Sequence, residues 1–516
     1  MGASIIRNFP SWSIMLCLFS GIVSSVLKKR GARLVNTILL LSVSVMSGAL
    51  LIFTWNSGVA YTYQMGNFPA PWGNELRFTC LEAAIALFFC IIMFLSLFGG
   101  NEHLNAEVEG RKHNLYYVLT DLLLASLLAL LYTNDMFTAY VFVEINTIAA
   151  CGLIMVRQVG RTIEAAVRYM IMSLLGSGLL LMGICMLYDM TGQLLMTQMH
   201  DSVVQIMATG DYHVPMTVAV CIITVGLAIK SALFPFHAWL PDAYGYSTVG
   251  SSAMLSSLVS KGYIFLLIKI IYRVIGFEAY HDTKIIHVLF IFGLCGMIFG
   301  SVSAIKENDI RRMIAFSSVA QIGYIYMGFG LGTFAGMSAS IFHIFSHAAS
   351  KSLLFIAAIG LTDVSGGSRK FSDLTGAGYR HKIAGVAFTV GSLSMVGIPL
   401  FPGFISKILF AQASIQNHGK MLPALIVLAI STILNAIYFL KTVIRLYTPV
   451  ENSEYTVARA KEHKGYTLAL ILFIIINLAI GTCSEYLVNV INGGLLNEIA
   501  EGGKSLLNLL QTTLPA

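Results

Sequence analysis

Charge is what this chain has least of. Only 11% of its 516 residues are Asp, Glu, Lys or Arg, against about 25% in a typical soluble domain. So few charges cannot coat a water-soluble surface, and that class is excluded. The eight cysteines, Cys17, Cys80, Cys90, Cys151, Cys185, Cys221, Cys295 and Cys483, lie in or beside apolar segments and form no CxxC pair. Iron–sulfur and zinc motifs are therefore absent, and the expectation is a chain with no redox centre, metal or cofactor of its own. There is no Pro/Ser-rich linker and no low-complexity tract, so nothing marks off separate folding units.

Hydrophobic residues make up 57% of the chain, in runs of membrane-spanning length. About fourteen spans are expected: residues 10–28, 33–55, 78–99, 114–132, 134–156, 164–188, 214–234, 251–273, 284–304, 311–332, 335–360, 383–418 with a break, 421–444 and 465–488. Threading the chain alternately gathers Lys28-Lys29-Arg30, Arg33, Arg111-Lys112, Arg157, Arg161, Lys306, Arg311-Arg312, Arg369-Lys370, Arg380, Lys382, Arg445, Arg459, Lys461 and Lys464 on one side. The other side receives only Arg7, Arg77, Arg273, Lys284, Lys420 and Lys504. By the positive-inside rule the basic side faces the cytoplasm, of a prokaryotic cell membrane, and both termini lie outside. The net charge of +7 is thus an orientation signal and needs no nucleic acid to explain it. The first apolar run precedes its basic cluster, the order of an uncleaved span and not of a signal peptide.

Three loops are longer than the rest, Thr54 to Glu75, Asp189 to His213 and Thr362 to Lys382. In the second, Leu194, Leu195, Met199, Val203, Ile206 and Met207 recur at helical spacing, and Leu495, Leu496, Ile499, Leu506, Leu507 and Leu510 repeat the pattern near the end of the sequence. Each reads either as a helix lying on the membrane or as a docking surface for a neighbouring subunit. Two spans are interrupted by proline: Lys230 stands five residues before Pro235, and Lys407 five after Pro402. Both breaks contain Leu-Phe-Pro. Paired interruptions point to two inverted repeats, because freed carbonyls must face protein or water. The expected fold is an all-α integral membrane protein. It divides into an N-terminal three-helix unit (1–113), a first five-helix repeat (114–274), a second (275–446), and a last helix with an amphipathic segment (447–516).

The informative residues are the ionisable ones stranded inside these spans. A charge at membrane depth costs at least about 2.5 to 3.5 kcal/mol on insertion scales, so Glu144, Lys230, Lys261, Lys351 and Lys407 point to ion movement. Glu144 lies about 15 Å from either end of its span, too deep for a glutamate to reach water. Lysine suits proton transfer because burial disfavours its charge and a nearby carboxylate favours it. At about 4 Å and an effective dielectric near 20, such a pair is worth about 4 kcal/mol, so moving Glu144 relative to Lys230 would load or unload a proton. His343, His347 and Lys351 follow i, i+4, i+8 spacing and share one helix face, a ladder suited to water-linked transfer. The alternatives are a structural histidine, or a metal pair lacking its third ligand. His237 and Asp242 lie near the basic end of their span, placed either for proton uptake or for ordinary loop capping.

These segments resemble a known family. Asn134-Asp-Met-Phe-Thr-Ala-Tyr-Val-Phe-Val-Glu144, Lys230-Ser-Ala-Leu-Phe-Pro-Phe-His-Ala-Trp-Leu-Pro-Asp-Ala243, Arg312 to Tyr324, Phe342-His-Ile-Phe-Ser-His347 and Gly397-Ile-Pro to Lys407 are similar to the antiporter-like subunits of respiratory complex I, Mrp-type cation/proton antiporters and membrane-bound hydrogenases. The D-type Mrp subunit is the nearest in its external loop, Tyr63 to Gly73. Gly245-Tyr-Ser-Thr-Val-Gly departs from the proline-containing stretch usual there. The resemblance implies fourteen helices and a polar axis through mid-membrane. Glu144 would modulate Lys230, Lys261 would bridge, His343, His347 and Lys351 would connect, and Lys407 would be the terminal lysine. Pro235 and Pro402 would form the gating breaks. The resemblance implies other membrane subunits as partners and protons as the ion moved, and it leaves peripheral redox subunits and sodium open. An independent solute transporter or a non-conducting scaffold remains open.

Overall fold

The computed structural model describes residues 5–68, 73–210, 212–276, 280–281, 283–449 and 463–502. Thirteen of its helices are long and apolar enough to cross a membrane. In chain order the elements are α1 (Phe9–Val26), α2 (Lys29–Ser57), β1 (Tyr61–Gln64), β2 (Glu75–Phe78), α3 (Cys80–Glu107), α4 (His113–Tyr132), α5 (Met136–Met155), α6 (Gly160–Thr191), α7 (Met196–Thr209), α8 (His213–Ser231) and α9 (Leu240–Tyr246). Then come α10 (Val249–Ile275), α11 (Ile285–Lys306), α12 (Ile310–Gly330), α13 (Phe334–Asp363), α14 (Lys382–Val396), α15 (Pro402–Ile415), α16 (Met421–Leu446), α17 (Lys464–Thr482) and α18 (Ser484–Gly502). The pair α14 and α15, joined through the Gly397–Phe401 break, supplies the fourteenth crossing. The all-α expectation and the broken helices hold.

Several helices start where the sequence supplies a cap. Asp135 accepts from the Thr138 amide at 2.6 Å, Asp309 from Arg311 and Arg312, and Thr333 from Gly336, each satisfying an amide the helix cannot. α3 runs eight residues beyond the expected 78–99 because Asn101, Glu102 and His103 continue the helix past the apolar stretch. The expected last span, 465–488, is two helices that change at Cys483.

Two segments were read as membrane-surface helices or neighbour docking sites, and in the structure each packs in part against its own chain. α7 turns Met196, Met199, His200 and Val203 inward, and His200 Nδ1 lies 3.2 Å from the Val274 carbonyl of α10. α18 lies against its own chain too, with Leu495 buried and Asn492 accepting from Ser338 at 2.6 Å. The Ile499 side chain and Leu506, Leu507 and Leu510 lie outside the described residues, as do Arg459, Lys461, Lys504 and residues 69–72 of the external loop. The described part of that loop forms an antiparallel pair, Tyr61 opposite Phe78 and Gln64 opposite Glu75.

α10, α12 and α13 are buried on nearly all sides, whereas α1, α2, α16 and α17 bury one stripe and expose the rest. An apolar helix buried all round belongs to the middle of a bundle. Two of these three central helices carry Lys261, His343, His347 and Lys351. α8 is brought against α6 by two glycines: a Cβ on Gly226 would sit 2.6 Å from the Gly176 carbonyl, and one on Gly176 would sit 3.0 Å from Lys230 Cγ. Small residues allow such approach between membrane helices, and here it fixes the stem of Lys230.

Candidate proton-transfer axis

Lys230 ends α8 at the first break. Its Nζ is fully buried and donates to Thr147 Oγ1 at 2.7 Å, lying 5.3 Å from the centre of the Tyr263 ring. Thr147 is three residues from Glu144 on α5. Tyr263 donates to Asn146 Oδ1 at 2.9 Å, and Asn146 donates to Ser126 at 2.8 Å. Among the described ion pairs none joins Glu144 to Lys230; a hydroxyl stands where a direct contact was expected. Glu144 is half-buried, its Oε1 has no hydrogen-bond partner, and it shares a helix face with exposed Phe137, Val141 and Ile148. It therefore faces the outside of this chain at mid-span.

Lys261 is fully buried in α10 and donates to the Ser256 carbonyl. That carbonyl belongs to a π-helical turn, Leu255–Val259, a form whose i→i+5 bonding is common at functional sites. On α13, His343 and His347 stack with ring centres 6.0 Å apart and planes 17° from parallel. His343 Nδ1 lies 2.6 Å from Ser406 Oγ. His343 Nε2 and both ring nitrogens of His347 are buried without a protein partner, positions that demand water or proton exchange. Lys351 donates to the Ile314 carbonyl at 2.7 Å and to Ser317. Lys407 donates to the Val396 and Met395 carbonyls at 2.5 and 3.4 Å and stands 6.0 Å from the Tyr324 ring centre. Tyr324 stacks on His343 at 5.5 Å, so one ring touches both the ladder and the terminal lysine.

Lys261, His343, His347 and Lys351 interact electrostatically, as do His343 and Lys407. The structure thus brings these five titratable groups together. It does not bring His237 and Asp242 together. Asp242 is held by Arg168 at 2.9 Å and by Arg312. His237 stacks on Phe234 at 5.4 Å, and burial pushes its pKa below the ordinary imidazole value, with the backbone at Pro235 opposing. Pro235 is exposed, while Pro402 is buried at the start of α15. Among the described residues no three His, Cys, Asp or Glu side chains could hold a metal ion.

Residues 133–434, which span the whole of this axis, match the family described as NADH:quinone oxidoreductase/Mrp antiporter, TM. The chain belongs to that family. The NADH-quinone oxidoreductase subunit N of Desulforudis audaxviator is 34% identical over 402 residues, 78% of each chain. The antiporter subunit mnhD2 of Staphylococcus epidermidis is 28% identical over 404 residues, again 78% of each. A chain in the structure of the membrane-bound sulfane sulfur reductase, an archaeal respiratory membrane complex, superposes with a TM-score of 0.85 at 24% identity, covering 98% of this chain and 99% of that one. The protein is an antiporter-like membrane subunit of the kind found in complex I, Mrp and related energy-converting complexes.

Within this family member the sequence reading missed four polar groups. Lys269 is buried and donates to the Leu130, Leu131 and Thr133 carbonyls at the end of α4, where a cation complements the helix dipole. Asp121 is fully buried and accepts from Ser20 at 2.7 Å and Asn36 at 2.5 Å, tying α1 and α2 to α4. Glu82 and Arg273 form a buried pair at 2.6 Å. For Asp121 the signal was present, a lone carboxylate inside an apolar run. For the other three, each near a span end, only the tertiary structure shows the burial.

Proposed function

We propose that this chain moves protons across the membrane as the transport subunit of a larger complex, along Lys230, Lys261, His347, His343, Lys351 and Lys407. The observation that carries the reading is the buried row of cations through the central helices, with three partnerless imidazole nitrogens between lysines. Protons enter from the basic face, taken as cytoplasmic, toward Lys230 and Lys261, with His237 near the entrance. They pass the ladder to Lys407 and leave on the opposite face, where both termini lie. Glu144 sets the charge on Lys230 through Thr147. The two breaks support a division into inverted repeats, 114–274 and 275–446, flanked by 1–113 and 447–516.

The chain itself contributes no redox chemistry in this reading. Neighbouring membrane subunits cover Glu144, and either a redox arm or an existing cation gradient drives transport. Isolation of the tagged complex from native membranes, with subunit mass spectrometry and assays for flavin, nickel and iron–sulfur content, separates a redox-driven pump from an Mrp-type antiporter. Lys230→Ala should abolish coupled proton transport in reconstituted complex while assembly is kept; full transport by that variant would sink the proposal.

A further inference from the structure

α16 carries a polar stripe that the axis above does not use. Its buried side chains recur at Ala424, Leu428, Ser431, Asn435, Tyr438, Phe439, Thr442 and Leu446. Of the five from Ser431 to Thr442 all but Phe439 carry a polar group, while Ile426, Ile430, Ile433, Ile437 and Ile444 are exposed on the lipid side. Eleven residues of helix rise about 16 Å, roughly half of a hydrocarbon core of about 30 Å. A buried polar row of that length is costly unless its members are hydrogen-bonded, and these are: Ser431 donates to the Met297 carbonyl at 3.4 Å and Thr442 to the Tyr438 carbonyl at 2.8 Å. Tyr438 donates to Asn435 Oδ1 at 2.5 Å, and Asn435 Nδ2 lies 3.4 Å from Tyr324 Oη. The Tyr438 hydroxyl is also within reach of Ser301 and Ser317. Ser317 is the hydroxyl to which Lys351 donates.

The other end of the stripe opens. A cavity of about 120 Å³ lies on the basic face between the ends of α11, α12 and α16. Glu307, Lys441 and Arg445 stand at its mouth, and Tyr438 and Thr442 form its inner wall. It is polar and large enough for several waters.

We propose that this cavity and stripe form a second proton entrance, from the basic face into the second half of the chain, with Tyr438 relaying protons to Lys351. The inference rests on the proton-transfer reading above. Once the Tyr438 and Ser317 hydroxyls turn from Asn435 and the Ile314 carbonyl toward Ser317 and Lys351, a cavity water gives a proton to Tyr438 Oη as the phenol's own proton passes to Ser317 Oγ, and the water recovers its proton from the solvent of the basic face. Ser317 in turn gives its proton to neutral Lys351 Nζ, and hydroxyl rotation resets both oxygens. No charge is left on the phenol or the serine, so the relay needs no buried ion apart from the lysine itself.

The test uses the intact complex in vesicles. Thr442→Cys should react with a membrane-impermeant cationic thiol reagent from the basic face alone, with the parent complex as labelling control, and the reaction should slow coupled proton transport about tenfold or more. Tyr438→Phe should slow it comparably. Full transport by Tyr438→Phe, or by fully labelled Thr442→Cys, overturns the entrance. Lys230→Ala separates the two failures: if it is inactive while those variants run normally, only the entrance falls, and if it is also fully active the proton-transfer reading falls with it. Should Tyr438→Phe fail to assemble, Thr442→Cys still decides, because labelling follows assembly.

Discussion

The two broken helices contain the same three residues and a lysine at the same distance from proline, yet they use the lysine differently. At the first break Ala232, held at φ +62°, and Leu233 return their amides to the Ile229 and Ala228 carbonyls, and the Trp239 indole reaches Ile229 as well. The helix end is closed by its own chain, and Lys230 is free to address α5. At the second break Gly397 and Ile398 close the Leu393 and Ser394 carbonyls, but those of Met395 and Val396 accept from Lys407. One lysine reports to a carboxylate-bearing helix; the other is part of its own break. Charge on Lys230 can change without loosening its helix end, whereas loss of charge on Lys407 weakens the contact that holds the interruption together.

Methionine at either position should stop proton transport, and the comparison lies in what else changes. Lys407→Met should also lower the melting temperature of the purified complex more than Lys230→Met does, because it leaves two carbonyls of the break without their charged donor, each such bond being worth about 1.5–3 kcal/mol, whereas the Thr147 hydroxyl left by Lys230 still donates to the Val143 carbonyl. Equal melting shifts would erase the distinction. Gly397→Ala should come next in size. Gly397 has φ +89°, and an added Cβ would meet Lys407 Cδ at 2.8 Å, so strain of about 1–2 kcal/mol from the left-handed backbone adds to displacement of the lysine. The counterpart, Ala232→Gly, should be close to neutral in both melting and transport, because relief of strain offsets the entropy of glycine. Smallest is Thr147→Val, which keeps the shape but removes the acceptor for Lys230. Transport measured across pH should slow by a few-fold to about tenfold, with Thr147→Ser restoring it.

Much of this was legible because membrane helices write themselves as long apolar runs, and because charges inside such runs are rare enough to notice. Lys230, Lys261, Lys351 and Lys407 stand out on that ground, and proline marks both breaks. The orientation of Glu144 did not show: where nearly every residue of α5 is apolar, periodicity cannot tell the inner face from the outer. The burial of Lys269 did not show, because span depth counts residues from an end and ignores what packs beside it. The four-residue strands β1 and β2 are too short to alternate visibly, and the π-turn before Lys261 is a matter of hydrogen-bond register that composition does not encode. The polar stripe of α16 was written at i, i+4, i+7, i+11, but neutral residues do not draw the eye in the way lysines do.

Glu144 also bears on supply. A carboxylate half-open to the outside of the bundle at mid-span carries an insertion cost of at least about 2.5 kcal/mol until something covers it. A neighbour that covers it binds only the folded chain, and so stabilises that fold by mass action. On the proposed reading, in which a neighbouring subunit covers Glu144 and Glu144 tunes Lys230, the steady amount of this subunit follows the stoichiometry of its partners, copies made in excess being the less stable ones, and the same carboxylate reports whether the chain has been assembled.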